Sequence, residues 1–278
     1  METIINGFKT NRAFAVTSVL VLCLLLIAIA APVIAPYDPT HAAMKDAFIE
    51  PGAQHLFGTD KLGRDCLSRV LYGARASLTG VLVLVASVFV VGTTMGVVSG
   101  YFGGKVDMVI MRISDMMISF PGMILAIAIA GIMGGSLVNA VFALTIVSWT
   151  KYARLARSMV LKVKRRDFVE AAIVNGGTAS HILWVHILPN ILPMMVITAA
   201  ADIGALMMEL AGLSFLGFGS QPPAPEWGLM LNEGRQQLQT APWLMVFPGL
   251  AIFVTVVIFN LWGDNLRDVL DPRGDVED

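Results

Sequence analysis

Asp167-Phe168-Val169-Glu170-Ala171-Ala172-Ile173-Val174-Asn175-Gly176-Gly177 reads as a short helix with both ends written into it. Asp167 can cap the free amides of the first turn, and Glu170, three residues on, can reach back in the manner of a capping box. Gly176 and Gly177 offer the left-handed conformation in which helices stop. Ala171 and Ala172 keep the helix slim, so that another protein can approach it closely. The basic residues Lys162, Lys164, Arg165 and Arg166 precede it, and Leu188-Pro189 then opens an apolar run. Taken alone, this pattern also suits an amphipathic connector lying on a membrane surface.

The surrounding chain calls for lipid. Of 278 residues, 56% are hydrophobic and only 14% charged, with a mean hydropathy of +0.74, outside the range of soluble domains. A net charge of −1 gives no pointer to nucleic acid. Cys23 and Cys66 have no metal-type spacing, and His41, His55, His181 and His186 are scattered, so no metal site is predicted.

Five regions are apolar enough to be embedded, and one is too long for a single helix, which predicts an all-α protein of six spans. Residues 13–35 form the first span, closed by Pro36, and residues 36–77 an extracytoplasmic segment. A five-helix core covers 78–263, its second span running from Leu78 to Gly100 before Gly103-Gly104 breaks the helix. No charge appears between Asp115 and Lys151, and Gly134-Gly135-Ser136 divides that stretch into a third span, beginning near Val106 with Asp107, Arg112 and Asp115 at the interface, and a fourth from Leu137 toward Arg157. The loop 162–190 leads to a fifth span over Ile191–Phe215. A proline-rich loop, Gln221-Pro222-Pro223-Ala224-Pro225, separates it from a sixth over Trp243–Gly263. Lys9 and Arg12 before an apolar run and the triplet Ala28-Ile29-Ala30 resemble a signal peptide, but the run from Ala13 to Tyr37 is long enough to cross a bilayer, so a retained anchor is expected.

Six spans put both ends on one side. With residues 1–12 and 264–278 inside, Lys9, Arg12, Lys105, Arg112, Lys151, Arg154, Arg157, Lys162, Lys164, Arg165, Arg166, Arg267 and Arg273 are cytoplasmic. Lys45, Lys61, Arg64, Arg69, Arg75 and Arg235 are then outside, and the excess of inner basic residues selects this orientation.

Glu170-Ala171-Ala172, Gly176 and Leu188-Pro189, in a cytoplasmic loop before the penultimate span, resemble the EAA loop of importer-type ATP-binding-cassette permeases. Three further stretches extend the resemblance over nearly the whole chain. They are Gly58-Thr59-Asp60-Lys61-Leu62-Gly63-Arg64-Asp65, then Gly212-Leu213-Ser214-Phe215-Leu216-Gly217-Phe218-Gly219 with Glu226-Trp227-Gly228, and Gly263-Asp264-Asn265-Leu266-Arg267-Asp268 with Leu270-Asp271-Pro272. All are similar to the C-type permease of dipeptide, oligopeptide and nickel importers. The resemblance implies a type I importer permease fold in the bacterial inner membrane. It also implies a coupling helix in the loop carrying Asp167, Glu170, Ala171, Ala172, Gly176, Leu188 and Pro189. The implied partners are a B-type permease, two ATPase subunits that hold ATP and Mg, and an extracytoplasmic binding protein.

This chain is not itself the engine. Its nearest approach to a phosphate-binding loop, Ser99-Gly100-Tyr101-Phe102-Gly103-Gly104-Lys105-Val106, lacks both the first glycine and the final hydroxyl, and no HExxH, CxxC or GxSxG occurs. A non-catalytic subunit is expected. On the fifth span, Asp202 and Glu209 lie seven residues apart on one helix face, at a depth where carboxylates usually line a water-filled path or pair between helices. Met207 and Met208 beside them are either flexible packing or thioether contacts for a soft metal. The run from Asp202-Ile203-Gly204 to Gly212 resembles nickel-type members, so nickel, a metal chelate and short peptides all stand as cargo. A stand-alone secondary transporter or channel would show repeats between its halves, and none is visible. A membrane-embedded enzyme would need a nucleophile or metal set, and none is present.

Overall fold

The computed structural model describes residues 11–270. Lys9, Asp271, Pro272 and Arg273, together with the remainder of the terminal segments, lie outside them. Apart from one isolated bridge between Thr59 and Asp65, the described residues carry only helices, turns and irregular chain.

Helix α1 (Arg12–Ile34) begins where the Asn11 side chain accepts from the Phe14 amide at 3.0 Å and ends before Pro36, which disfavours helix in the residue it follows. Helix α2 (Cys66–Phe102) runs 37 residues and starts twelve residues before the expected Leu78. Asp65 caps it through the Ser68 amide at 2.8 Å, and no breaker follows until Gly103, whose φ of 66° ends it. The last part of the segment expected to be extracytoplasmic loop is therefore helix.

The segment expected as the third span is broken. Helices α3 (Gly104–Ile118) and α4 (Gly122–Met133) meet at 94°, because Pro121 supplies no amide to continue the ladder. Gly134, at φ 85°, then makes the turn to α5 (Leu137–Val163), which Ser136 caps through the Val138 amide. After α6 (Asp167–Val174) comes α7 (Ala179–Phe215), whose residues Ile182–Ile187 form a π-helical segment. A short helix, α8 (Trp227–Gly234), sits within the proline-rich connection that the sequence reading treats as loop, and α9 (Trp243–Leu270) completes the fold.

Four helices, α1, α2, α7 and α9, are long and apolar enough to cross a membrane, and the bent pair α3–α4 makes a fifth if it is one span. Helix α5 has the length, 27 residues, but carries Lys151, Arg154 and Arg157 in its second half.

The core forms where small residues let backbones approach. Gly92, Gly96 and Gly100 recur every four residues on α2 and lie against α5. A Cβ at Gly96 would stand 2.7 Å from that of Ala156, and one at Gly100 would stand 2.9 Å from that of Val160. Gly263 of α9 meets the α7 backbone at Ala200 and Ala201 in the same way. Phe14 packs with Leu266 and Ala200, so the start of α1 and the end of α9 lie at one end of the bundle. Outward-facing apolar side chains such as Val33, Ile132 and Val138 remain highly exposed, as lipid-facing positions would be.

Candidate functional site

Three polar features are built on this frame. The first is the short helix α6. Its cap residue is Arg166, with no side-chain hydrogen bond, and Asp167 is already the first helical residue. The expected capping box is therefore not formed, because the helix begins one residue too early for Asp167 to occupy the cap. Asp167 and Glu170 instead place two exposed carboxylates in the first turn, where the helix dipole favours negative charge.

The other end is closed as a Schellman motif. The Gly177 amide donates to the Ala172 carbonyl and the Gly176 amide to the Ile173 carbonyl, both at 3.0 Å, with Gly176 at φ 79°. Val169, fully buried, anchors the helix on Val97, Val160, Ile182, Ile187 and Ile191. Phe168, Glu170, Ala171, Ile173 and Val174 stay exposed, while Ala172 is half-buried. Thr178 caps α7 by accepting from the His181 amide at 3.3 Å, so helix resumes nine residues before Leu188-Pro189, the point at which the sequence suggests it restarts. The π-helical segment resets the register ahead of Leu188. Pro189 consequently falls in the first turn of the following α-helical stretch, where its missing amide costs no bond. Leu188 packs against the cluster that holds α6, and Pro189 is exposed.

The second feature is a cavity of about 200 Å³ between α5 and α7, lined by Ser148, Thr150, Lys151 and Tyr152 on one side and Asp202, Ala205, Leu206 and Glu209 on the other. Asp202 and Glu209 share a face with Ala205 and Leu206, at the spacing of helical neighbours. Lys151 Nζ donates to both Asp202 oxygens at 2.7 Å. Met207 and Met208 fall between the lining positions and so turn off that face: Met207 is buried in the main core and Met208 is exposed, and neither lines the cavity.

The third feature was not singled out as a site from sequence. The glycine-punctuated segment after α1 folds into a buried charge knot. Asp60 accepts from the Leu62 and Arg64 amides at 2.8 and 3.0 Å and from Arg64 Nε at 2.6 Å. Arg64 and Arg69 both reach Glu233 of α8, at 3.1 and 2.7 Å, and each arginine is 1% exposed. Glu226, which caps α8, also accepts from Ser77 of α2 at 3.2 Å, and Trp227 Nε1 donates to the Val70 carbonyl at 2.9 Å. The two arginines match two carboxylates, which is the condition under which buried charge is tolerated. A single Arg-to-Glu pairing across 169 positions leaves no local sequence signal.

At the opposite end of α2, Asp107 of α3 takes Arg157 of α5 at 2.5 Å and also Ser99, while Arg154 pairs with Asp115. Lys164 Nζ donates to the Tyr101 carbonyl at 2.7 Å. Of the three interface charges expected on the third span, Asp107 and Asp115 are thus bound to the basic end of α5, and Arg112 is not among these pairings.

Comparison with known proteins agrees with this architecture. Residues 92–275 match the family model of the binding-protein-dependent transport system inner membrane component, and residues 3–51 that of the N-terminal TM domain of oligopeptide transport permease C. The chain is 42% identical to the dipeptide transport system permease protein of Alkalihalophilus pseudofirmus, over 95% of this chain and 87% of that protein. It is 43% identical to the glutathione transport system permease protein of Pectobacterium atrosepticum, over 96% and 89%. It is 39% identical to the nickel transport system permease protein of Escherichia coli K12, over 96% and 97%. These relatives are transport permease subunits and not catalytic enzymes. With a permease family model over most of its length and relatives this similar from end to end, the chain belongs to the binding-protein-dependent inner membrane transport components, in the branch of C-type permeases of peptide and nickel ATP-binding-cassette importers.

Proposed function

We propose that this chain forms half of the translocation pathway of an importer for short peptides or for nickel and its chelates, in the inner membrane of a bacterium. In this reading α5 and the bent pair α3–α4 both cross the membrane, giving six spans with both termini cytoplasmic. A B-type permease supplies the other half, and an extracytoplasmic binding protein delivers cargo. Two ATPase subunits hold ATP and Mg and receive α6 as coupling helix.

The observation that carries the proposal is α6 itself. It is seated on the bundle through Val169 and closed by Gly176, and it presents Phe168, Glu170, Ala171, Ile173 and Val174 outward beside the basic end of α5. A helix so held can pass a push to α7 as a rigid body. Affinity-tagged chain expressed with its neighbouring subunits is expected to co-purify with an ATPase, and recovery without one at full expression would count against the proposal. The relatives with peptide, glutathione and nickel in their names are about equally similar, so cargo is decided by uptake. Radiolabelled nickel and a radiolabelled dipeptide, offered to a deletion strain with and without this chain, separate the two.

A further inference from the structure

We infer that the cavity between α5 and α7 is a passing site for a primary ammonium group on the cargo, with Glu209 as its counter-charge. The inference rests on the peptide side of the proposed function and narrows it to cargo bearing a free amino group.

Three observations carry it. First, the cavity holds one positive and two negative side chains, Lys151 against Asp202 and Glu209, so it has a single unmatched negative charge. Glu209 makes no hydrogen bond or ion pair among the described residues, and a carboxylate left so at membrane depth is costly. Second, Tyr152 is 1% exposed, lines the same cavity beside Asp202, and its hydroxyl has no hydrogen-bond partner of ordinary geometry. Asp202 approaches that hydroxyl only loosely, and its oxygen is left free to accept.

Third, the site already displays the chemistry it would accept. Lys151 Nζ is itself a primary ammonium, and it sits on the two Asp202 oxygens at 2.7 Å. The lysine side chain is 64% exposed, so packing does not lock it in place and it can give way to an incoming ammonium. An ammonium brings three donors, which suit the Glu209 carboxylate and the Tyr152 hydroxyl oxygen, and Ser148 offers a further hydroxyl. The volume of about 200 Å³ far exceeds the roughly 10–15 Å³ that one water needs, so the group can enter with the atoms attached to it. A bare divalent ion fits less well, since neither Met207 nor Met208 faces the space and the described residues hold no group of three metal-ligating side chains there.

The test uses the complete importer in proteoliposomes, with binding protein in excess and radiolabelled dialanine as probe. Glu209→Gln is expected to lower dialanine uptake about tenfold, Glu209→Asp to keep at least about half of it, and Tyr152→Phe to fall between them, the scale set by the loss of one buried charge-assisted contact. Co-purified subunits at wild-type stoichiometry show that each variant assembles. Uptake by Glu209→Gln within about twofold of wild type overturns the inference alone, and so does an equal loss in Glu209→Asp. Uptake of nickel but not dialanine by the wild-type importer overturns the peptide reading and this inference together.

Discussion

The two ends of the bundle use charge in opposite ways. At the end where α2 begins, Arg64, Arg69, Asp60 and Glu233 are almost sealed from solvent and bonded to one another, and they tie the segment after α1 to α2 and α8. At the end where α2 finishes, α6 carries Asp167 and Glu170 in the open and is held to the bundle through one buried apolar side chain, Val169. Buried, matched ions act as rivets: they cost desolvation, and they punish the removal of either partner. Exposed carboxylates on a lightly seated helix remain available to another surface. The difference separates a part built to hold its shape from a part left open to contact.

The largest expected effect comes from breaking the buried charge knot. Arg69→Met leaves Glu233 and Asp60 short of a buried counter-ion and should destabilise the protein by about 3–5 kcal/mol, read as a lower melting temperature of the detergent-purified complex. A loss below about 1 kcal/mol would mean that the knot is solvated and the contrast between the ends is false.

A smaller effect is expected at α6. Gly176→Ala meets no neighbouring atom, so its cost is that of an L side chain at φ 79°, about 1 kcal/mol, and it should appear as faster amide exchange in α6 with little change in global melting. Global destabilisation as large as that of Arg69→Met would show α6 to be part of the rigid frame.

Smallest of all, Lys151→Met should alter stability by less than about 1 kcal/mol, since the lysine side chain is 64% exposed. Thermal melting of that variant within error of wild type sharpens the comparison by adding a third, exchangeable kind of ion pair between the two ends.

Local punctuation made much of the fold legible. Gly103, Gly134 and Gly176 each take positive φ at a helix end where the sequence suggests a break, and the spacing of Asp202 and Glu209 places both on one cavity. Local rules also misled where two signals competed. The apolarity of the stretch after Asp115 suggests one continuous third span from near Val106 to the break at Gly134, but Pro121 removes the amide such a span needs, and α3 and α4 part there. Asp167 and Glu170 have capping-box spacing, yet the helix starts at Asp167 and leaves both exposed. What sequence could not give is pairing at a distance. Arg64 with Glu233 and Lys151 with Asp202 are set by how α2, α5, α7 and α8 stack, and no window along the chain contains both partners. Helix α8 was hidden for a related reason, because its cap, Glu226, is fixed by Ser77 from α2.

The central claim, that α6 carries the coupling, is tested most directly by Glu170→Lys in the assembled importer. The account predicts normal membrane insertion, wild-type levels of every subunit and loss of cargo uptake, with the same outcome for Gly176→Asp. Normal uptake by either variant at wild-type subunit levels would contradict it.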